Sequence, residues 1–167
     1  MSIKLISNVV AGSALGLGVM LSLNANAATT TADLAVTASV AAACTVTTVP
    51  LAFSTYTGTE VSGTADLTVT CTNGAPYTVG LGEGGGSNAT TSTRALTNGA
   101  DNVTLNYGLY QESSHSTNWG DVVGTDTVAG TGDGTAQPIT VYGDIPAGQT
   151  TSTVGDYTDT VLVTINY

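Results

Sequence analysis

Apolar and polar residues alternate with a period of two in several separate stretches of this chain. Ala65, Leu67, Val69 and Cys71 share one side, as do Tyr77, Val79 and Leu81, then Val103, Leu105, Tyr107 and Leu109, then Ile139 and Val141. A last set is Val161, Val163, Ile165 and Tyr167, with Thr160, Leu162, Thr164 and Asn166 opposite. Successive side chains of an extended strand point to opposite faces, so each set predicts a strand with one buried side. Between the sets stand Thr72-Asn73-Gly74-Ala75-Pro76, Gly82 to Asn88, Thr97-Asn98-Gly99, Gly130 to Gly134 and Ile145-Pro146-Ala147-Gly148, all of turn composition. Helices have little to build on, because the chain carries only two lysines and arginines together to decorate a wet helix face. Short strands joined by such turns predict an all-β chain, an antiparallel sandwich of immunoglobulin-like type.

The first residues read as an export signal. Lys4, an apolar run from Val9 to Leu23, and Ala25-Asn26-Ala27 ahead of Ala28 supply its three parts, so residues 1–27 are expected to be removed. The run is shorter than the roughly 20 residues of a spanning helix, which argues against a transmembrane anchor. The remainder is a comfortable length for one domain. It holds all 12 acidic residues and, of the cations, only Arg94. Nucleic acid binding requires several cations to displace counterions from phosphates, so that class of partner is excluded, as are anionic membrane surfaces. Cys44 and Cys71 survive processing in an exported chain, so they are expected to form a disulfide that stabilises the fold by roughly 3 to 4 kcal/mol. A metal site on the cysteines lacks further ligands, since His115 is the only histidine and no C-x-x-C occurs.

Chemistry-bearing motifs are sparse. Gly84-Gly85-Gly86 lacks the Gly-Lys-Ser/Thr ending of a phosphate loop, and Ser87 does not complete G-x-S-x-G. Asp126 and Asp133 lack the ligand spacing of a calcium loop. No reactive constellation and no cofactor site is expected, and the chain does not read as an enzyme. Trp119 with the tyrosines offers one alternative, a sugar platform in a self-contained secreted module, against ordinary core packing.

Another alternating stretch precedes Cys44. Leu34, Val36, Ala38 and Val40 fall on one side, Asp33, Ala35, Thr37 and Ser39 on the other, with no turn signal to fold the stretch back as a hairpin. It is either the first strand of the domain's own sandwich, a frayed tail, or a strand meant for another molecule. The last option also accounts for a chain that ends on a core strand. A six-stranded sandwich lacking its closing strand has an open edge and an apolar groove, which a neighbour's leading segment can fill. Such head-to-tail donation does not close on itself and gives an open fibre. Residues 28–43 are then the donor extension and 44–167 the receiving domain, with the Val161, Val163, Ile165 and Tyr167 face bordering the acceptor groove.

The order of several local markers resembles one family. They are Cys44, Phe53 with Tyr56, Cys71-Thr72-Asn73-Gly74 followed by Pro76-Tyr77, Arg94, Tyr107-Gly108-Leu109-Tyr110, Trp119-Gly120-Asp121, Val141-Tyr142-Gly143 with Ile145-Pro146, and Gly155-Asp156-Tyr157-Thr158-Asp159-Thr160-Val161. In this order the chain resembles the spore coat protein U domain family, shared by subunits of archaic chaperone-usher pili, and the Csu-type major pilins in particular. Ser54 departs from the pattern, where relatives often carry Gly. The resemblance implies an incomplete immunoglobulin-like fold completed by donor-strand exchange with identical and related subunits. It further implies a periplasmic chaperone that pairs with Val161 to Tyr167, an outer-membrane usher, and an extracellular pilus serving surface attachment and biofilm formation.

Overall fold

The computed structural model describes residues 27–99 and 103–167. All but the last residue of the expected signal peptide lies outside the described residues. The chain divides into two units, one ending at Ala38 and one running from Ser39 to Tyr167. Residues 27–38 are exposed and form neither helix nor strand.

The second unit is a β-sandwich. Its strands are β1 (Cys44–Thr48), β2 (Val61–Cys71), β3 (Pro76–Leu81), β4 (Arg94–Asn98), β5 (Val103–Tyr110), β6 (Val128–Thr131), β7 (Ala136–Ile145) and β8 (Val163–Asn166). One sheet has the order β1-β2-β7-β5-β4 and the other β6-β3-β8, with antiparallel pairs throughout. No helix among the described residues is long and apolar enough to cross a membrane.

The alternating sets become the inner faces of β2, β3, β5 and β7. Leu67 and Val69 from β2, Leu105 and Leu109 from β5, and Val141 from β7 meet Tyr77, Val79 and Leu81 of β3 in one core. Burying each such side chain stabilises the fold by about 1.5 to 3 kcal/mol, offset by the entropy of ordering it. Cys44 and Cys71 face each other across the β1–β2 ladder and are bonded as a disulfide.

Among the described residues eight strands stand where six were expected. Thr97 and Asn98, read as turn residues, complete β4, and only Gly99 lies in the turn. Gly130, also read as turn, sits inside β6, because the Tyr77 ring occupies the space its side chain would need. The closing strand is shorter than its alternation suggests: Val161 precedes β8 and Tyr167 follows it. The stretch Leu34 to Val40 forms no strand here, since an extended segment becomes one only when a neighbour supplies backbone partners, and the domain's own first strand is β1.

Candidate functional site

The edge of the small sheet is where the sandwich is open. β8 pairs with β3 in the register Val79 to Ile165 and Leu81 to Val163, and it ends that sheet's strand order. A groove of about 420 Å³ borders it. On one side run Val161 and Val163, on the other Val49, Pro50, Leu51 and Phe53 after β1, and the base is the buried core, Leu67, Leu81, Leu109 and Val141. Through Leu51, Phe53 and Leu96 it continues into a second hollow of about 890 Å³ beneath residues 149–157. An apolar trough along a strand edge with no partner among the described residues suits an extended chain, whose alternate side chains fill the trough while its backbone extends the sheet.

The closing segment builds this opening by changing sheets. Thr158 exchanges backbone hydrogen bonds with Thr97 at the free edge of β4, the Thr97 amide donating at 2.9 Å and the Thr158 amide at 3.0 Å. Five residues on, Val163 is in the other sheet. Asp159 holds the crossing: its Oδ1 accepts from the amides of Gly85 and Thr160, each at 2.7 Å, and its Oδ2 accepts from the Tyr107 hydroxyl at 2.7 Å. The carboxylate fills the space that a side chain on Gly84 would occupy.

Burial first, and the bond to Asp159 second, push the Tyr107 phenol well above its ordinary range. A tyrosine whose folded pKa is raised contributes stability that is present below the unfolded pKa, about 10, and is lost as pH rises past it. Tyr107→Phe should therefore be less stable than the native chain by about 1.5 to 3 kcal/mol near neutral pH, and the gap should narrow between pH 9 and 11. Urea unfolding of both chains across that range checks it; a constant gap would show that the phenol's proton does not matter to the fold.

The opposite rim rests on missing side chains. Gly63 of β2 and Gly143 of β7 are directly paired, and a Cβ on either would meet the side chains of Leu51 and Phe53. The paired glycines form a shallow seat for the rim, and the Phe53 ring reaches over it to Tyr107 edge-on, centroids 6.0 Å apart. Farther along, the Tyr56 hydroxyl donates to the Pro146 carbonyl at 3.0 Å and accepts from the Gln149 amide at 2.9 Å, fixing where the segment ends. Gly63 and Gly143 lie just outside the alternating sets, and only the strand register brings them opposite each other.

Arg94 bolts the two sheets together at the groove's end. It is fully buried in β4, and its guanidinium donates to the carbonyls of Leu81 and Trp119 from Nη2, both at 2.8 Å, of Gly82 from Nε at 2.8 Å, and of Thr91 from Nη1 at 2.7 Å. Desolvation lowers its pKa, and the surrounding acidic groups, Tyr107 and Asp159 foremost, oppose that. Trp119 is likewise fully buried, its indole nitrogen donating to the Val79 carbonyl at 2.9 Å, so it is a core residue and no sugar platform. Asp126 and Asp133 serve local turns, accepting from the amides of Val122 and Thr135.

The sequence-read residues fall into three groups. Leu34, Val36 and Val40 are 87%, 84% and 86% exposed, and Ala38 is exposed too. Val161, Val163 and Ile165 are half-buried against the core, the first two in the groove wall. Tyr167, expected on the same face, is 63% exposed beyond the end of β8.

Three comparisons bear on this architecture. Residues 30–164 match the model of the Spore Coat Protein U domain. Protein U of Myxococcus xanthus is 33% identical over 159 residues, spanning 86% of this chain and 88% of that protein. Among solved structures, a chain of the CsuC–CsuE chaperone–tip adhesion subunit pre-assembly complex, from the archaic chaperone-usher Csu pili of Acinetobacter baumannii, superposes with a TM-score of 0.59 at 21% identity. The likeness covers 77% of this chain but only 40% of the solved one, and it establishes a shared fold. With the family model spanning nearly the whole sandwich and a relative aligned over most of both lengths, this chain belongs to the Spore Coat Protein U domain family.

Proposed function

We propose that this chain is a structural subunit of an archaic chaperone-usher pilus, exported after loss of residues 1–27 and polymerised by donor-strand exchange. The observation that carries the reading is a pair of complementary features: an apolar row left in solvent at Leu34, Val36 and Val40, and an apolar groove beside an unpaired β8 edge. Residues 28–43 of one copy lie along β8 of the next, with Ala38 as the small member of the row. Covering Leu34, Val36 and Val40 contributes about 1.5 to 3 kcal/mol each, before the cost of ordering the segment. Backbone bonds to β8 add about 0.5 to 1.5 kcal/mol apiece.

Before assembly the same edge needs cover, and a periplasmic chaperone strand pairing with Val161 to Tyr167 supplies it. An outer-membrane usher then exports the fibre, for surface attachment and biofilm formation. The family and the fold shared with a chaperone–subunit complex support this order of events. In this reading the chain takes the major, shaft-forming role. Electron microscopy of cells lacking the protein separates that role from a minor adaptor, since only the former removes the filament.

Electrophoresis of surface material without boiling tests the proposal directly. A ladder of subunit multiples is expected, collapsing to one band when residues 28–41 are deleted. A deleted chain that stays folded, monomeric and free of chaperone indefinitely would overturn it.

A further inference from the structure

The outer face of the large sheet carries a second feature, away from the groove. Asp144 lies in β7 opposite Ser62 of β2 and Gly108 of β5. Glu60 immediately precedes β2, and His115 sits in the turn that follows β5. One potential ligand atom from each of the three lies within 4.8 Å of the other two. Three segments far apart in sequence thus deliver two carboxylates and the chain's only imidazole to one spot.

The surroundings hold these groups in place. Gly108 has no side chain, and the Tyr110 ring occupies that space next to Asp144. The His115 ring lies on Tyr110, centroids 5.1 Å apart. His115 itself adopts φ 52°, a left-handed conformation that non-glycine residues rarely take. The loop around it is clamped by Glu112, whose Oε1 accepts from the Ser116 amide at 3.0 Å, the Ser116 hydroxyl at 2.7 Å and the Thr117 amide at 2.6 Å. Asp144 Oδ1 is shielded from solvent and has no hydrogen-bond partner among the described residues. A buried carboxylate oxygen left in that condition is costly, and a cation is one group that relieves it.

From this geometry we infer that Glu60, His115 and Asp144 form a binding site for a divalent transition-metal cation of the zinc type. One nitrogen and two oxygens make a borderline donor set that suits zinc and its neighbours, whereas calcium and magnesium take oxygen ligands. Bonds of about 2.0 to 2.2 Å place tetrahedral ligand atoms about 3.4 Å apart, so three groups already within 4.8 Å of one another need only a small closure on loading. Exposed Glu60 supplies that movement. The fourth position opens to water. The dication offsets two of the chain's twelve negative charges.

Titration of the tag-free exported protein with zinc chloride tests this, read by calorimetry and by the ring resonances of its single histidine. One zinc per chain is expected, with a shift of the His115 signals, and calcium chloride should give neither. His115→Gln should abolish binding. Glu60→Gln and Asp144→Asn should each weaken it by about tenfold or more, while Glu83→Gln, at an exposed carboxylate outside the cluster, leaves it unchanged. Glu60→Gln alters an exposed side chain, so its result does not depend on a damaged fold. No zinc bound at large excess, unchanged affinity in His115→Gln, or wild-type affinity in either carboxylate variant would each overturn the assignment.

Discussion

Val36→Asp should leave the subunit folded and stop the fibre from growing. Val36 is 84% exposed in the single chain, so the substitution changes its own folding free energy by no more than about 0.5 kcal/mol. In the proposed joint the same position enters a groove based on Leu67, Leu81, Leu109 and Val141. There a carboxylate would lose its water without gaining a partner, and the effective penalty for an unpaired ion so placed is several kcal/mol. Each 1.4 kcal/mol is a factor of ten in affinity, so the joint weakens by about three orders of magnitude or more. The expected result is a monomer band without a ladder, and no filaments by microscopy, from a protein whose thermal midpoint and chaperone complex match the native ones. Normal fibres would show that the Leu34-Val36-Val40 face is not what enters the neighbour.

Arg94→Ala should have the largest effect on the subunit itself. The four carbonyls of Leu81, Gly82, Thr91 and Trp119 would lose a charged donor in a place water does not easily reach, and a cavity would open between the sheets. A buried acceptor left without its donor costs about 1 to 3 kcal/mol, so the loss of several at once is a large part of a domain's whole stability. Arg94→Lys should recover less than half, because an ammonium is a point and cannot reproduce a planar fork reaching carbonyls on several sides. Urea unfolding of the disulfide-intact variants gives the numbers. A loss below about 1 kcal/mol for the alanine variant would mean that removing the buried cation repays what its hydrogen bonds contribute.

The sequence revealed those parts of the fold where one wet and one dry face impose a simple period. β2, β3, β5 and β7 were legible for that reason, and so were the turns after β2 and β7. β4 was not, because its first inward residue is Arg94, and a charge at a buried position breaks the pattern that marks a strand. β6 was hidden by Gly130, whose lack of a side chain makes room for Tyr77 from the neighbouring strand. Trp119 showed the opposite difficulty: an aromatic next to Gly120-Asp121 looks the same in sequence whether it faces a ligand or the core, and burial decides.

Alternation alone picks out the inward Val161, Val163 and Ile165. It says nothing of the exposure of Leu34, Val36 and Val40, and Tyr167 does not keep the period because β8 stops at Asn166. The facing rim could not be read, since it depends on Gly63 and Gly143 being opposite each other, a fact of register between strands far apart in the chain. The Glu60, His115 and Asp144 cluster was invisible for the same reason: a lone histidine suggests a poor ligand set until the fold delivers its companions.

The bond between Cys44 and Cys71 has a mechanical consequence for a filament of the proposed kind. Tension applied through the leading segment of a subunit arrives at Cys44, the first residue of a short edge strand that could peel from the sheet. The disulfide hands that load at once to the end of β2. β2 is registered against β7 from Val61 to Thr70, so force along it shears many backbone bonds together instead of unzipping them one at a time. A thread of such units would yield first at the non-covalent joints between them, and each link would survive the pull.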